Sequence, residues 1–277
     1  MSRKAGREGD PPPPPEPLRV PAVDSHCHLD LGDPSVAEAI DQAVAAGIPR
    51  MVTVGIDVPS SRWCADVAEK HEALLATVAL HPNEAPTATP DDFAEIERLA
   101  QLPRVRAIGE TGLDHYRTGE DGRAEQEASF RRHIDLAKRA GKALVIHDRN
   151  AHADVLRVLG EEGAPERVVF HCFSGDADFA RRCVDQGFVL SFAGNVTFKN
   201  AGELREAVAV TPRDQLLVET DAPFLTPMPY RGRPNGPYLV PLTVRAVAEV
   251  QGVDEDVIAA AVSATAERVF GSWSLGE

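Results

Sequence analysis

Cysteine is scarce in this chain: Cys27, Cys64, Cys172 and Cys183 are the four thiols in 277 residues, and no two form a Cys-x-x-Cys pair. So few and so scattered, they exclude a disulfide-built scaffold and a cysteine zinc ribbon, and the expectation is reduced, packed thiols in a cytoplasmic protein. Positive charge is also short, with 29 Lys and Arg against 43 Asp and Glu and a formal net charge of -14. A domain that coats nucleic acid by releasing counterions needs the opposite sign, so an anionic substrate would have to meet local positive charge supplied by bound metal ions. No apolar run approaches the length of a membrane span. The opening MSRKAGREGDPPPPPEPL carries charge and proline where a secretory signal carries an apolar stretch. Residues 1 to 20 are therefore expected to form a disordered or polyproline-like tail ahead of one domain spanning 21–277, because prolines donate no backbone hydrogen bond and this stretch has little to bury.

What is present is alternation. Eight short β-branched or apolar runs recur after the tail: AVDSHCHL from Ala22, RMVTVGI from Arg50, LLATVAL from Leu74, VRAIGETGL from Val105, ALVIHD from Ala143, VVFHCFS from Val168, FVLSFAGNV from Phe188 and LLVETDAPFL from Leu216. Amphipathic segments such as SVAEAIDQAVAA, DDFAEIERLA, QEASFRRHIDLAKRAG and DADFARRCVDQG separate them; the first of these follows Asp33-Pro34 as its expected start and runs to Gly47. Eight strand-then-helix units point to an α/β fold, a (β/α)8 TIM barrel. The rival, a doubly wound open sheet, usually carries a GxGxxG in its first loop, and this chain has none there.

A barrel gathers its functional groups at the carboxyl ends of the strands. His26 and His28 stand there on the first strand, His81 just after the third, Glu110 and Asp114 on the fourth, His147 on the fifth, His171 on the sixth, and Glu219 with Asp221 on the eighth. Side chains two apart on a strand share a face, so His26 and His28 are expected to enter the barrel mouth while Cys27 points into the helix layer. His147 and His171 each end an apolar strand at an inward position, where an unpaired polar group is costly. Four imidazoles with Glu110 and Asp221 exceed the needs of one ion and leave room for two divalent ions sharing a carboxylate. The mixed nitrogen and oxygen set suits Zn, Mn, Co or Fe and tolerates Mg. His71, His133 and His152 fall in helical patterns and are expected to be exposed; His115 lies in a loop and is left open.

The stretches VDSHCHLD, LHPNEA, AIGETGLDHYR, LVIHDRNA, FHCFSG, GNVTFKNA and LLVETDAPFLTP, followed by YRGRPNGP, run in an order that resembles the TatD-type metal-dependent deoxyribonuclease family of the amidohydrolase-like barrels, from about residue 22 onward. The resemblance implies one metal held by His26, His28, Glu110 and Asp221, and a second by Glu110, His147 and His171, so that Glu110 bridges. It implies Glu110 and Asp221 as the catalytic pair, with Asp221 orienting or deprotonating the attacking water. His81 looks like a residue that contacts the scissile phosphate or lies just outside the ligands, and Lys199, Arg231 and Arg233 look like phosphate partners. The chain departs from the family pattern at Asn83, His115 and Gly236, all outside the implied ligand set.

The expected activity is hydrolysis of phosphodiester bonds in DNA, from an end, by a water activated between two divalent ions. The acidic surface favours short or single-stranded DNA ends as the partner, with no membrane partner and with a monomer sufficing. The alternative within enzymes is a metal-dependent ester or amide hydrolase such as an aminoacyl-tRNA deacylase. Glu110 stands where many amidohydrolases carry a modified lysine, which weighs against the cyclic-amide subset. A barrel that binds without catalysis would be expected to show a broken ligand set, and all six positions are filled.

Overall fold

A computed structural model describes residues 9–274. Eight strands, β1 (Val23–Cys27), β2 (Arg50–Val54), β3 (Leu74–Val78), β4 (Val105–Asp114), β5 (Ala143–Arg149), β6 (Val168–Phe170), β7 (Val189–Phe192) and β8 (Leu216–Val218), pair in parallel and in chain order. A single bridge between Cys27 and Ala222 brings the last strand back to the first, so the sheet forms a nearly closed barrel. Around it run α1 (Val36–Ala45), α2 (Val58–Lys70), α3 (Pro90–Leu99), α4 (Arg123–Ala140), α5 (His152–Glu162), α6 (Ala177–Val184), α7 (Gly202–Val210), α8 (Val240–Gln251) and α9 (Glu255–Phe270). Among the described residues no helix is long and apolar enough to cross a membrane.

Alternation along the strands divides the core in two. Val23, Val52, Val54, Leu75, Ala107, Ala143, Val145, Val169, Val189 and Leu217 fill the barrel interior, and Ala266, Val269 and Phe270 from the end of α9, with Trp273 just after it, close its lower opening. The other face of the strands meets the helices in a larger cluster that includes Cys27, Ala76, Ile108, Leu144, Phe170 and Leu190. With the bottom plugged by apolar side chains, the carboxyl ends of the strands are left as the open face.

Helix starts follow local chemistry. The Ser35 hydroxyl accepts from the Glu38 amide while the Glu38 carboxylate accepts from Ser35 N, so α1 is capped at Ser35 and not at the expected Asp33. This reciprocal pair satisfies two free amides at once, which a carboxylate placed before Pro34 cannot do. Asp57 and Thr89 cap α2 and α3 in the same manner.

The tail, expected to be disordered or polyproline-like, makes contacts with the barrel from Gly9 onward; the rest of it lies outside the described residues. Tyr238 Oη donates to Pro12 O, Arg233 donates to the carbonyls of Asp10 and Pro11, and Arg245 donates to Glu16 O. Leu18, 6 % exposed, packs into the helix-layer core, and its amide donates to Ala46 O. Prolines cannot donate but accept well through their carbonyls, and a polyproline-like strap offers them to side chains of the barrel.

Candidate metal centre

Two register irregularities aim the first ligands. The β1–β2 pairing slips between Asp24 and Cys27. Val23 and Ser25 face the interior, Ser25 Oγ lying 2.9 Å from Ser191 Oγ, and the slip then turns His26 and His28 inward and sends Cys27 to the helix layer. The β3–β4 and β4–β5 pairings are also irregular, the latter between Ile108 and Thr111, and Glu110 lies in that interval. Bulges of this kind re-aim a side chain without ending the sheet. Glycine on both sides of Glu110 permits the close approach of β5: a Cβ on Gly109 would lie 2.5 Å from Val145 Cβ, and one on Gly112, whose φ is 142°, would lie 2.1 Å from His147 O.

Glu110 is 4 % exposed and central. Its Oε2 faces His26 Nε2 at 3.4 Å and His28 Nε2 at 3.7 Å, and His28 Nε2 is 3.5 Å from Asp221 Oδ1. Its Oε1 faces His147 Nδ1 at 2.6 Å, His171 Nε2 at 2.9 Å and His81 Nε2 at 3.4 Å. All six expected ligand residues therefore meet in one pocket, and the two carboxylate oxygens address two different histidine groups. His26, His28 and Glu110 offer ligand atoms within 4.8 Å of one another, as do His81, Glu110 and His147.

The surrounding hydrogen bonds set the tautomers. His28 Nδ1 lies 3.1 Å from Val54 O and His171 Nδ1 lies 3.1 Å from Glu219 Oε1, so each donates there and keeps its Nε2 lone pair for the pocket. His81 Nδ1 accepts from the Asn83 amide, which places the proton of the neutral ring on Nε2 and makes that atom a donor toward the pocket. His147 lies between two carboxylates, with Nε2 3.2 Å from Asp114 Oδ2.

The residues present fit divalent cations. Burial would raise the Glu110 and Asp221 carboxyls, yet the histidines around them outweigh it and hold Glu110 well below, and Asp221 below, the ordinary carboxylate range. Burial opposes protonation of His28, His147 and His171, and their carboxylate neighbours still push all three up. The pocket therefore favours positive charge. Among the described residues, two buried atoms of the pocket, His26 Nδ1 and Glu219 Oε2, have no hydrogen-bond partner, and His26, His171 and Glu219 offer ligand atoms mutually within 4.8 Å. Such orphans are costly unless a cation or water completes them.

Four residues of weight escaped the implied ligand set. Glu219, fully buried, holds His171 and accepts from the Cys172 amide; it keeps the inward alternation of Leu217, a signal present in the sequence. Asp114 accepts from the amides of Tyr116 and Arg117 as well as facing His147. Asp24, fully buried beneath the site, accepts from Thr220 N and Oγ1 and from His26 N, and burial pushes its carboxyl up to about 7. His133 is 1 % exposed rather than exposed as expected, because it accepts the Leu80 amide at 3.1 Å and donates to Ser129 O at 2.7 Å. His71 and His152 are half-buried, and His152 pairs with Asp148 at 2.7 Å. Of the expected phosphate partners, His81 points into the pocket; Lys199 is exposed after β7, and Arg231 is exposed after β8 with its guanidinium over Phe198. Arg233 has its Nε and one Nη engaged by tail carbonyls.

Comparison with known proteins shows the family and the fold. The model of the TatD related DNase family matches residues 23–271. A relative in Mycobacterium tuberculosis, named an uncharacterized metal-dependent hydrolase TatD, is 50 % identical over 257 residues, covering 90 % of this chain and 97 % of its own length. The 3′-5′ ssDNA/RNA exonuclease TatD of Cronobacter sakazakii is 35 % identical over 240 residues, covering 84 % and 90 %. Among solved structures, the TatD homologue YjjV of Escherichia coli superimposes with a TM-score of 0.85 at 26 % identity, over 91 % of this chain and 98 % of that one. With its barrel and its buried imidazole and carboxylate pocket in place, the chain belongs to the TatD related DNase family of metal-dependent hydrolases.

Proposed function

We propose that this protein hydrolyses phosphodiester bonds at single-stranded ends of DNA, with two divalent ions held by His26, His28, Glu110 and Asp221 and by Glu110, His147 and His171. The observation that carries this is the split of Glu110, whose two oxygens each face a separate group of imidazoles. Divalent ions at these groups would supply Lewis acidity toward the phosphoryl oxygen and lower the pKa of a water.

The chain's own groups then have distinct tasks. Asp221, its side chain 14 % exposed and beside His28, orients the water and accepts its proton. His81, with its proton on Nε2, donates to a phosphoryl oxygen. Lys199 and Arg231, on the loops after β7 and β8, neutralise neighbouring phosphates. The net charge of -14 repels a long duplex and leaves short, terminal segments as the substrates that local charge can hold. The 3′-5′ exonuclease name of the Cronobacter relative supports a nucleic-acid substrate.

End-labelled single strands, p-nitrophenyl phosphate esters and aminoacyl-tRNA, each with added divalent metal, test the assignment. Cleavage of the labelled strand is expected, with loss of at least about 100-fold in Glu110→Ala, a ligand counting for more than the partner of a ligand. Full activity in Glu110→Ala would reject the site, and cleavage of aminoacyl-tRNA alone would reject the substrate.

A further inference from the structure

Four large hydrophobic side chains stand exposed among the described residues: Val44, Tyr116, Phe224 and Val257. The two valines lie on α1 and α9, on the outer helix layer. The two aromatics lie on the loops that leave β4 and β8 at the open face, beside the metal-binding pocket. Tyr116 is 65 % exposed and two residues past Asp114; Phe224, 43 % exposed, has its ring centre 6.2 Å from that of His28. Single exposed hydrophobics need no explanation, but two aromatics flanking one pocket do.

The Tyr116 loop is tied down by hydrogen bonds. Its backbone amide and that of Arg117 donate to Asp114 Oδ1 at 2.9 and 2.8 Å. Thr118 Oγ1 donates to Asn83 Oδ1 at 3.0 Å and accepts from Gln126 Nε2 at 2.7 Å, and Gln126 Oε1 accepts from Asp114 N. A loop fixed this thoroughly could have turned its ring inward, yet the ring stays in solvent. Arg149, two residues past His147 on β5, lays its guanidinium over the ring, 4.0 Å from its centre. Most other arginines of this acidic chain pair with carboxylates or carbonyls, whereas Arg149 has the ring as its partner and no ion pair among the described residues. One face of Tyr116 is thus covered by a cation, and its exposed area lies on the other face and the edge.

A flat π-surface backed by a positive charge, on a fixed loop next to a phosphate-hydrolysing pocket, has the chemistry of a nucleotide: base on ring, phosphate near guanidinium. We propose that Tyr116, backed by Arg149, is a stacking platform for one unpaired base adjoining the scissile phosphate. This inference rests on the phosphodiesterase reading and deepens it, because a base can reach such a platform only when it is free of its complementary strand. Single-strandedness of the substrate is then selected by a ring, and the sequence of the strand is not, since every base has a π-face.

The test uses the metal-loaded full chain and two labelled oligothymidylates, one intact and one carrying a tetrahydrofuran abasic residue next to the cleaved bond. Wild type is expected to prefer the intact strand by about tenfold in kcat/KM, as one base stack implies. In Tyr116→Ala that preference collapses, mainly through KM, and Tyr116→Trp keeps it. The substitutions leave the backbone amide that holds Asp114 in place. An equal loss on both strands in Tyr116→Ala, or a preference that survives it, overturns the platform while the hydrolytic assignment stands. Wild type that cleaves neither strand overturns that assignment and the platform with it.

Discussion

Acid is expected to unfold this protein partly through one histidine that takes no part in hydrolysis. His133 sits 1 % exposed under β3, accepting from Leu80 N and donating to Ser129 O, with the Arg132 charge nearby. Burial is the main cause, with Arg132 adding to it, that lowers its pKa from 6.5 to about 4. Between those values the unfolded chain holds a proton on this residue and the folded chain does not, so stability rises with pH across the window and is lost as pH falls through it. A shift of 6.5 to about 4, at 1.36 kcal/mol per unit, gives a limiting loss of about 3 kcal/mol, of which about 2 kcal/mol is lost between about pH 7.5 and pH 5.

The perturbation is His133→Gln, which keeps a polar side chain and cannot ionise. Both proteins are stripped of metal, because binding to the folded state would mask the difference, and are unfolded in urea at several pH values. The pocket histidines titrate in both and cancel in the comparison. The variant is less stable near neutrality, by about 1–3 kcal/mol for an imperfectly replaced acceptor of the Leu80 amide. Its deficit should shrink by about 2 kcal/mol on going to about pH 5, because only the wild type loses the neutral imidazole. Parallel curves for the two proteins would refute the reasoning, as would an imidazole proton resonance of His133 that titrates near 6.5.

Glu219→Gln keeps the shape beside His171 and removes the charge that holds its Nδ1 proton; metal affinity, read by titration calorimetry, is expected to fall about 10- to 100-fold with the fold retained. Gly112→Ala would force a Cβ to 2.1 Å from His147 O at a φ of 142°, so a loss of about 3 kcal/mol and a drop of about 8 °C in Tm are expected. An unchanged melting curve would contradict the close approach of β4 and β5.

Strand order, and which polar side chains gather at the carboxyl ends of the strands, were legible because both follow from period and chemistry. Apolar runs ending in His147 or His171 announce an inward polar group by alternation alone, and Glu219 continues the same alternation from Leu217. The inward turn of His26 was anticipated, although simple alternation from Val23 would have sent it outward; the slip in β1 that reconciles the two is a property of pairing, which no single strand displays. His133 was misjudged because its helical position says nothing of the Leu80 amide above it. The contacts of the tail from Gly9 onward were not legible because the features that hold it are side chains more than 200 residues away, Tyr238, Arg233 and Arg245, acting on carbonyls rather than on any apolar pattern of its own.

That proline strap alters where the folding unit begins. An expression clone started at the first strand would expose the Leu18 niche and strip Arg233, Tyr238 and Arg245 of their acceptors. Arg233 and Tyr238 flank Asn235, whose amide donates to the carbonyls of Thr220 and Phe224 beside the pocket, so trimming a stretch that looks dispensable would loosen the rim of the pocket from behind. Affinity handles and fusion partners belong upstream of Gly9.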